Sequence, residues 1–594
     1  MAEPGTINSY LAELYGKEIG VEVYKRLCAL IDLYRSLTPA PHKRERGQVT
    51  QRDSILITYG DQVLEPGIPP LRALAGFCEQ HLQGLVSGIH ILPFYPFSSD
   101  DGFSVIDYKA INPDLGSWED LIAFRRSFRL MFDAVINHIS VQSEWFNAFL
   151  GGDPKYSEYF ISVTGSPDLS QVARPRALPL LTYFNSSSGR RAVWTTFSTD
   201  QVDLNYHNPH VLLDILDVLL FYATQGAEFI RLDAIAYLWK EIGTTCIHLP
   251  QAHRVIQLFR AVLDSVFPQV LLITETNVPH LENISYFGDG TNEAQLVYKF
   301  ALPPLVIHAL HTGQTHALSE WASRLKLPAK TGTFFNFLAS HDGIGLNPAR
   351  GILTDAEINA LIARVQAHGG LVSYKNNPDG SQTPYELNIN YFDALSNPQA
   401  AESPEVQVDR FMAAQAIMLS LAGMPGIYFH SLFGSRGWPE GVKVTRRNRS
   451  INRQKLDRPG LEQELQDPAS RRCRVFQRFT QMLTARASSA AFHPYGGQEI
   501  LAGGDPRSAG GDPRSAGGDA IFALLRVSPD GRQRVLCLHN LSNTPQAVSL
   551  DWQGLLKREP VEIVDLITGR TYQRKPAEPW LLAPYEVNWL ACND

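Results

Sequence analysis

From residue 55 onward, short apolar runs alternate with longer stretches whose apolar side chains recur at helical spacing. The runs lie at 55–60, 88–95, 129–138, 226–233, 270–275, 296–300, 333–342 and 426–430. An example of the intervening pattern is 209–225, where Val211, Leu212, Ile215, Leu216, Leu219, Leu220 and Ala223 share one helical face. Regular alternation of strand and helix predicts an α/β barrel of parallel strands. Four of the runs end in groups capable of chemistry: Asn137 and His138, Arg231 and Asp233, Glu275, and His341 and Asp342. In such a barrel the C-terminal strand ends carry the active site, so these side chains are expected around one pocket.

The remaining segments break the rhythm. Residues 7–37, with Leu11, Leu14, Ile19, Val23, Leu27, Leu30 and Ile31 at helical spacing, predict one or two helices forming a lid or a packing arm. The stretch 139–205 is rich in Ser, Pro, Gly and Tyr and too long for a βα loop, so an inserted small domain is expected there. A second, lid-like insertion at 351–410 contains Lys375-Asn-Asn-Pro-Asp-Gly-Ser-Gln382, whose turn chemistry places it over the pocket mouth. From 500 the pattern shortens into strands at 520–527, 534–540, 546–552, 560–567 and 585–592, an antiparallel β domain. Its tandem Gly-Gly-Asp-Pro-Arg-Ser-Ala at 503–509 and 510–516 reads as a duplicated loop without function. The expected plan is 1–138 for the N-terminal helices and first part of the barrel, 139–205 for the insert, 206–499 for the rest of the barrel, and 500–594 for the β domain.

Composition adds exclusions. With 44% hydrophobic and 19% charged residues, the 594-residue chain is ordinary globular protein. A net charge of −7 argues against nucleic acid as a partner. Six cysteines show neither paired nor metal-ligand spacing, so reduced thiols, no metal and a cytoplasmic location are expected. The first residues lack a basic-then-apolar export pattern, and 413–430 is broken by Gln415, Ser420 and Pro425, so no membrane span is expected.

Three carboxylates at barrel strand ends suit glycosyl transfer, in which one attacks the anomeric carbon, a protonated one assists the leaving oxygen, and a third stabilises the transition state. Arg231, two residues before Asp233, shares its strand face and is expected to keep it ionised. Glu275 needs a raised pKa to hold a proton near neutrality.

Taken together, Asp133-Ala-Val-Ile-Asn-His138, Arg231-Leu-Asp233, Thr274-Glu275-Thr and Ser340-His341-Asp342 resemble the four signature regions of the α-amylase superfamily. The resemblance implies a (β/α)8 TIM barrel with Asp233 as nucleophile, Glu275 as acid/base and Asp342 as transition-state stabiliser. His138, Arg231 and His341 would line the glucose subsite. A narrower resemblance, to the sucrose phosphorylase branch, rests on 230–244, 298–305, 308–313 and His341-Asp-Gly-Ile-Gly345. It implies that Asp100, within Asp100-Asp-Gly-Phe103, and Arg449, within Asn448-Arg-Ser-Ile-Asn-Arg453, grip one glucose and leave no room for a longer chain; Phe103 is placed with them as a substrate contact.

The chain departs from sucrose phosphorylases where the leaving group should sit. Their loop Leu-Asp-Leu-Tyr-Gln is matched by Gln382-Thr383-Pro384-Tyr385-Glu386, which keeps the tyrosine only. Residues 173–181, 375–382 and 430–435 instead look like those of glucosylglycerate phosphorylases. With Thr383 and Glu386 in that loop and Arg174, Arg176 and Lys375 near the mouth, the acceptor pocket is expected to favour an anion. The expected activity is reversible, retaining phosphorolysis of an α-glucoside, with 2-O-α-D-glucosyl-D-glycerate ahead of sucrose and sucrose 6′-phosphate. Inorganic phosphate is the co-substrate and no cofactor is implied. A hydrolase or transglucosidase of the same fold, and a catalytically inactive carbohydrate-binding relative, are the competing classes.

Overall fold

The structure, a computed structural model, describes residues 4–37, 48–175, 179–327, 331–377, 381–501, 518–556, 562–573 and 578–592. Arg176 and the tandem heptapeptide lie outside the described residues. Eight parallel strands close into a barrel: β1 (Ile55–Thr58), β2 (Gly88–Ile91), β3 (Arg129–Ala134), β4 (Ala227–Leu232), β5 (Leu271–Thr274), β6 (Leu296–Tyr298), β7 (Thr333–Asn336) and β8 (Met424–Tyr428). β8 closes onto β1 in the register Ile55 to Gly426. Apart from Arg129 and Glu228, every strand residue is buried, because helices cover the outer face and side chains fill the inner one. Gly426 is required at the closure, since a Cβ there would come within 2.3 Å of the Phe335 ring.

The N-terminal helices Pro4–Tyr15 and Lys17–Leu37 are a packing arm rather than a lid. Tyr34 donates to Asp217 on the helix Pro209–Thr224 at 2.6 Å, and Arg254 on the helix Pro250–Val266 pairs with Glu13 at 2.5 Å. Both target helices belong to the outer ring of the barrel, so the arm braces its outside.

Three strand expectations need correction. The run 129–138 is two elements, because β3 ends at Ala134 and His138–Ser140 pairs antiparallel with Gln201–Asp203. The run expected to end at Asp342 stops as strand at Asn336; its apolar continuation, Phe337 and Leu338, is buried in the loop and imitates a strand in sequence. The last run begins earlier, at Met424, and His430 lies in the helical turn Phe429–Leu432, where its Nδ1 meets the Ser435 hydroxyl at 2.9 Å.

After His138 the chain makes a three-stranded antiparallel sheet from Ser162–Val163, Leu181–Ser186 and Gly189–Trp194. Between β7 and β8 it forms the helix Asp355–Ala367 and the hairpin Leu371–Asn376/Gln382–Asn388, whose second strand also pairs with Ile344–Gly345. The helix begins at a capping box in which Thr354 and Glu357 satisfy each other's backbone N–H groups. Beyond residue 496 a six-stranded antiparallel sheet forms, in the order Gly497–Leu501, Ile521–Val527, Arg534–Asn540, Val587–Cys592, Glu562–Asp565, Thr571–Gln573. The expected strand 546–552 is shorter, Gln546–Val548, and Trp552 begins a short helix instead. Among the described residues, no helix is long and apolar enough to cross a membrane.

Candidate active site

β4 sets the geometry. Arg231 pairs in register with Asp133 of β3 and faces into the barrel, where it is 2% exposed. Its Nη1 donates to Asp133 Oδ1 at 2.5 Å and to Asp233 Oδ1 at 2.8 Å, while Nη2 lies 3.9 Å from Glu275 Oε2. Asp133 is in turn held by His90 of β2, whose Nε2 donates to Oδ2 at 2.6 Å. Burial works against the Asp133 charge, but His90 and Arg231 outweigh it and hold the carboxyl down to about 2. A permanent ion pair therefore lies beneath the catalytic floor.

Directly after Asp233 the backbone turns into the left-handed region at Ala234 (φ 49°), an uncommon conformation for a residue with a Cβ. The Ala234 N–H donates to Glu275 Oε2 at 3.2 Å, tying the ends of β4 and β5 together. Burial, reinforced by the charges of Asp233 and Asp342 and opposed by Arg231, pushes the Glu275 carboxyl up to about 7. Burial also raises Asp233, and Arg231 opposes that desolvation without cancelling it. Arg231 touches Asp233 at 2.8 Å and Glu275 only at 3.9 Å, so its charge favours the ionised form of Asp233 more than that of Glu275.

The loop after β7 brings His341 and Asp342 to the same floor. His341 stacks on Phe103 with centroids 4.7 Å apart and planes 5° from parallel, and burial drives its pKa down to about 3, leaving a neutral ring. Burial works against Asp342 too, but Arg449 and Arg453 hold its carboxyl well below the usual range. Arg449 Nη1 lies 2.5 Å from Asp342 Oδ1. On the opposite flank His138 Nε2 donates to the Phe103 carbonyl at 2.9 Å, which fixes its tautomer.

Asp100, Phe103 and His138 line one inner cavity with Asp233, Glu275 and the His341–Asp342 pair; Tyr385 and Arg449 complete its wall. The inner cavity measures about 80 Å³, against about 900 Å³ for the outer chamber it opens into, so the inner one holds a single sugar ring at most. Arg174 and Lys375 line the outer chamber, and Tyr385 stands between the two. Arg174 is exposed; Lys375 is half-buried, and burial with the nearby Arg350 charge lowers its pKa. Two readings of the loop 382–386 need revision. Glu386 is 1% exposed and takes a bidentate grip from Arg449 (Nε 3.0 Å, Nη2 2.8 Å), so it serves the floor and not an anion at the mouth. Thr383 Oγ1 accepts from Asn377 Nδ2 at 2.7 Å, inside its own hairpin.

Sequence reasoning missed His90 and Gln201. Gln201 Nε2 donates to the Phe103 carbonyl at 2.9 Å beside His138. Only His90 left a signal, a lone imidazole inside an apolar run on the inward-facing register.

The parallel barrel with carboxylates after β4, β5 and β7 around a single-ring cavity defines an α-amylase-type catalytic domain. Residues 79–344 match the family described as "Alpha amylase, catalytic domain". The chain is 52% identical over 539 residues to a glucosylglycerate phosphorylase of Spirochaeta thermophila, covering 90% of this chain and 89% of that one. It is 47% identical to a glucosylglycerate phosphorylase of Allomeiothermus silvanus, covering 93% of each. Among solved structures, sucrose 6F-phosphate phosphorylase from Thermoanaerobacter thermosaccharolyticum superimposes with a TM-score of 0.70 at 24% identity, over 84% of this chain and 96% of that one. The chain belongs to the alpha-amylase family, in the group that includes the glucosylglycerate phosphorylases.

Proposed function

We propose that the protein catalyses reversible phosphorolysis of 2-O-α-D-glucosyl-D-glycerate, giving α-D-glucose 1-phosphate and D-glycerate with retention. The observation that carries the chemistry is the carboxyl pair: Glu275 holds a proton near neutrality while Asp233 is engaged by Arg231. In the first step Asp233 attacks C1, Glu275 protonates the glycosidic oxygen, and glycerate leaves a β-glucosyl ester behind. In the second, a phosphate oxygen attacks C1 from the vacated face, Glu275 accepts the phosphate proton, and the ester bond to Asp233 breaks. Asp342 stabilises the positive charge that develops at C1, and Asp100, His138, His341 and Arg449 hold the glucose hydroxyls. Phe103 orients two of these groups, through its stacking on His341 and its carbonyl contact with His138.

Arg174 and Lys375 in the outer chamber suit the two anions, glycerate and phosphate, that meet there in turn. The high identity to two glucosylglycerate phosphorylases supports glycerate over a neutral sugar. The test supplies α-D-glucose 1-phosphate with D-glycerate, fructose, fructose 6-phosphate or glycerol, and follows phosphate release, with Asp233→Asn as the inactive control. Faster glucosylation of fructose than of glycerate would overturn the acceptor. Free glucose as the main product from glucosylglycerate in millimolar phosphate would overturn phosphorolysis itself.

A further inference from the structure

Glu386 is a buried carboxylate with no role in the two steps above. It sits on the hairpin strand Gln382–Asn388, next to Tyr385 and in register with Gly345 of the β7 loop. Among the described residues its carboxylate meets Gly343 and Arg449, both on the catalytic floor. Oε1 accepts from the Gly343 N–H at 2.6 Å and from Arg449 Nε at 3.0 Å, and Oε2 accepts from Arg449 Nη2 at 2.8 Å. The fork fixes the guanidinium plane and leaves Nη1 for Asp342 at 2.5 Å.

The charge count explains why a carboxylate belongs there. Arg449 paired with Glu386 is close to neutral, so Asp342 remains a net anion facing C1. Without Glu386, the whole guanidinium charge would face Asp342 and oppose the positive charge that builds at C1 during glucosyl transfer. Arg449 would also be free to swing onto Asp342 with both Nη groups and occupy the oxygens that face the sugar. Resting on the proposed glucosyl transfer, we infer that Glu386 is a positioning residue: it partly neutralises and orients Arg449 so that the guanidinium meets Asp342 through Nη1 at Oδ1 alone, and Asp342 keeps the negative charge that stabilises the transition state. This differs from the role its place in an acceptor-side loop predicts, direct contact with the leaving acceptor.

α-D-Glucosyl fluoride separates the two roles. Its leaving group is a single fluoride, so attack by Asp233 breaks the C1–F bond with no acceptor in the outer chamber. With inorganic phosphate present to take the glucosyl group from Asp233 and regenerate the carboxylate, fluoride release is measured for the wild type, Glu386→Gln, Arg449→Lys and the double variant, with thermal melts alongside. Positioning requires kcat for fluoride release to fall roughly tenfold to a hundredfold in Glu386→Gln with KM little changed, and requires the double variant to lose no more than Arg449→Lys alone. Unchanged fluoride release with impaired use of glycerate would overturn the inference and make Glu386 an acceptor contact; strictly additive losses would overturn it as well. Should Glu386→Gln fail to fold, Glu386→Asp, which keeps the charge but is too short to reach both Arg449 and Gly343, must show a partial kcat loss of the same kind, and wild-type rates there would count against the role. The fluoride assay reads glucosyl transfer whatever acceptor the protein uses, so a wrong acceptor leaves this result intact.

Discussion

Glu275 couples activity to stability through one proton. Its carboxyl sits at about 7 in the folded protein against an ordinary 4.5, so between those values the native state binds a proton that the unfolded chain has released. Stability from this group is therefore present below pH 4.5 and lost as pH rises to about 7, at a cost on the order of 3 kcal/mol above that. Glu275→Gln is expected to melt higher than wild type at pH 8 but not at pH 4, while losing phosphorolysis of glucosylglycerate. In the active enzyme, kcat/KM for phosphorolysis should fall on the alkaline side of about 7, because the deprotonated form cannot assist the leaving oxygen. A pH-rate profile flat from 6 to 9 would contradict this. Asp133 works the other way, since its depressed carboxyl contributes stability above its unfolded pKa that disappears as pH falls towards 2. At this scale the strand-end carboxylates were legible, because each is a polar residue terminating an apolar run. The His90–Asp133–Arg231 relay was not, because its members lie on three strands whose adjacency no local pattern encodes.

Among elements, the hairpin Leu371–Asn376/Gln382–Asn388 lines both the outer chamber and the inner cavity. Its outer face carries Lys375 into the chamber and its inner end carries Tyr385 and Glu386 to the floor. Lys375 is half-buried and Arg174 exposed, so the lysine is less screened by solvent. Lys375→Ala should raise KM for glycerate or phosphate by roughly tenfold, about 1.4 kcal/mol, and Arg174→Ala by clearly less. Equal effects from the two would show that solvent exposure is not what ranks them. Turn residues at 375–382 marked a turn inside the insertion but not the two strands that flank it, and helical spacing announced the outer ring. Strand ends were harder: β7 stops at Asn336 while apolar residues continue to Ala339, because a loop buried against the barrel mouth needs the same side chains as a strand.

Across the whole molecule, buried arginines tie the C-terminal sheet and the helix Arg471–Ser488 to the barrel. Arg526 donates to the carbonyls of Ser420 (3.0 Å) and His493 (2.8 Å), and Arg486 to that of Gly423 (3.0 Å). Such contacts leave no trace in a sequence, where an arginine in a strand or helix reads as surface. The barrel order itself was legible, since parallel strands with covering helices admit few other arrangements.

Among the described residues, the inner cavity is lined by five carboxylates, Asp100, Asp233, Glu275, Asp342 and Glu386, and by one arginine, Arg449. Phosphate arriving there carries charge of the same sign. When glucose is esterified to Asp233, one of those charges vanishes, and a unit charge a few ångström away at an effective dielectric of about 20 is worth on the order of 3 kcal/mol. On the proposed mechanism the floor would then act as an electrostatic clock, turning the anion away until the sugar is loaded and admitting it afterwards. Asp233→Asn imitates the loaded state in charge, and calorimetry should find it binding inorganic phosphate more tightly than the wild type does; tighter binding by the wild type would stop the clock.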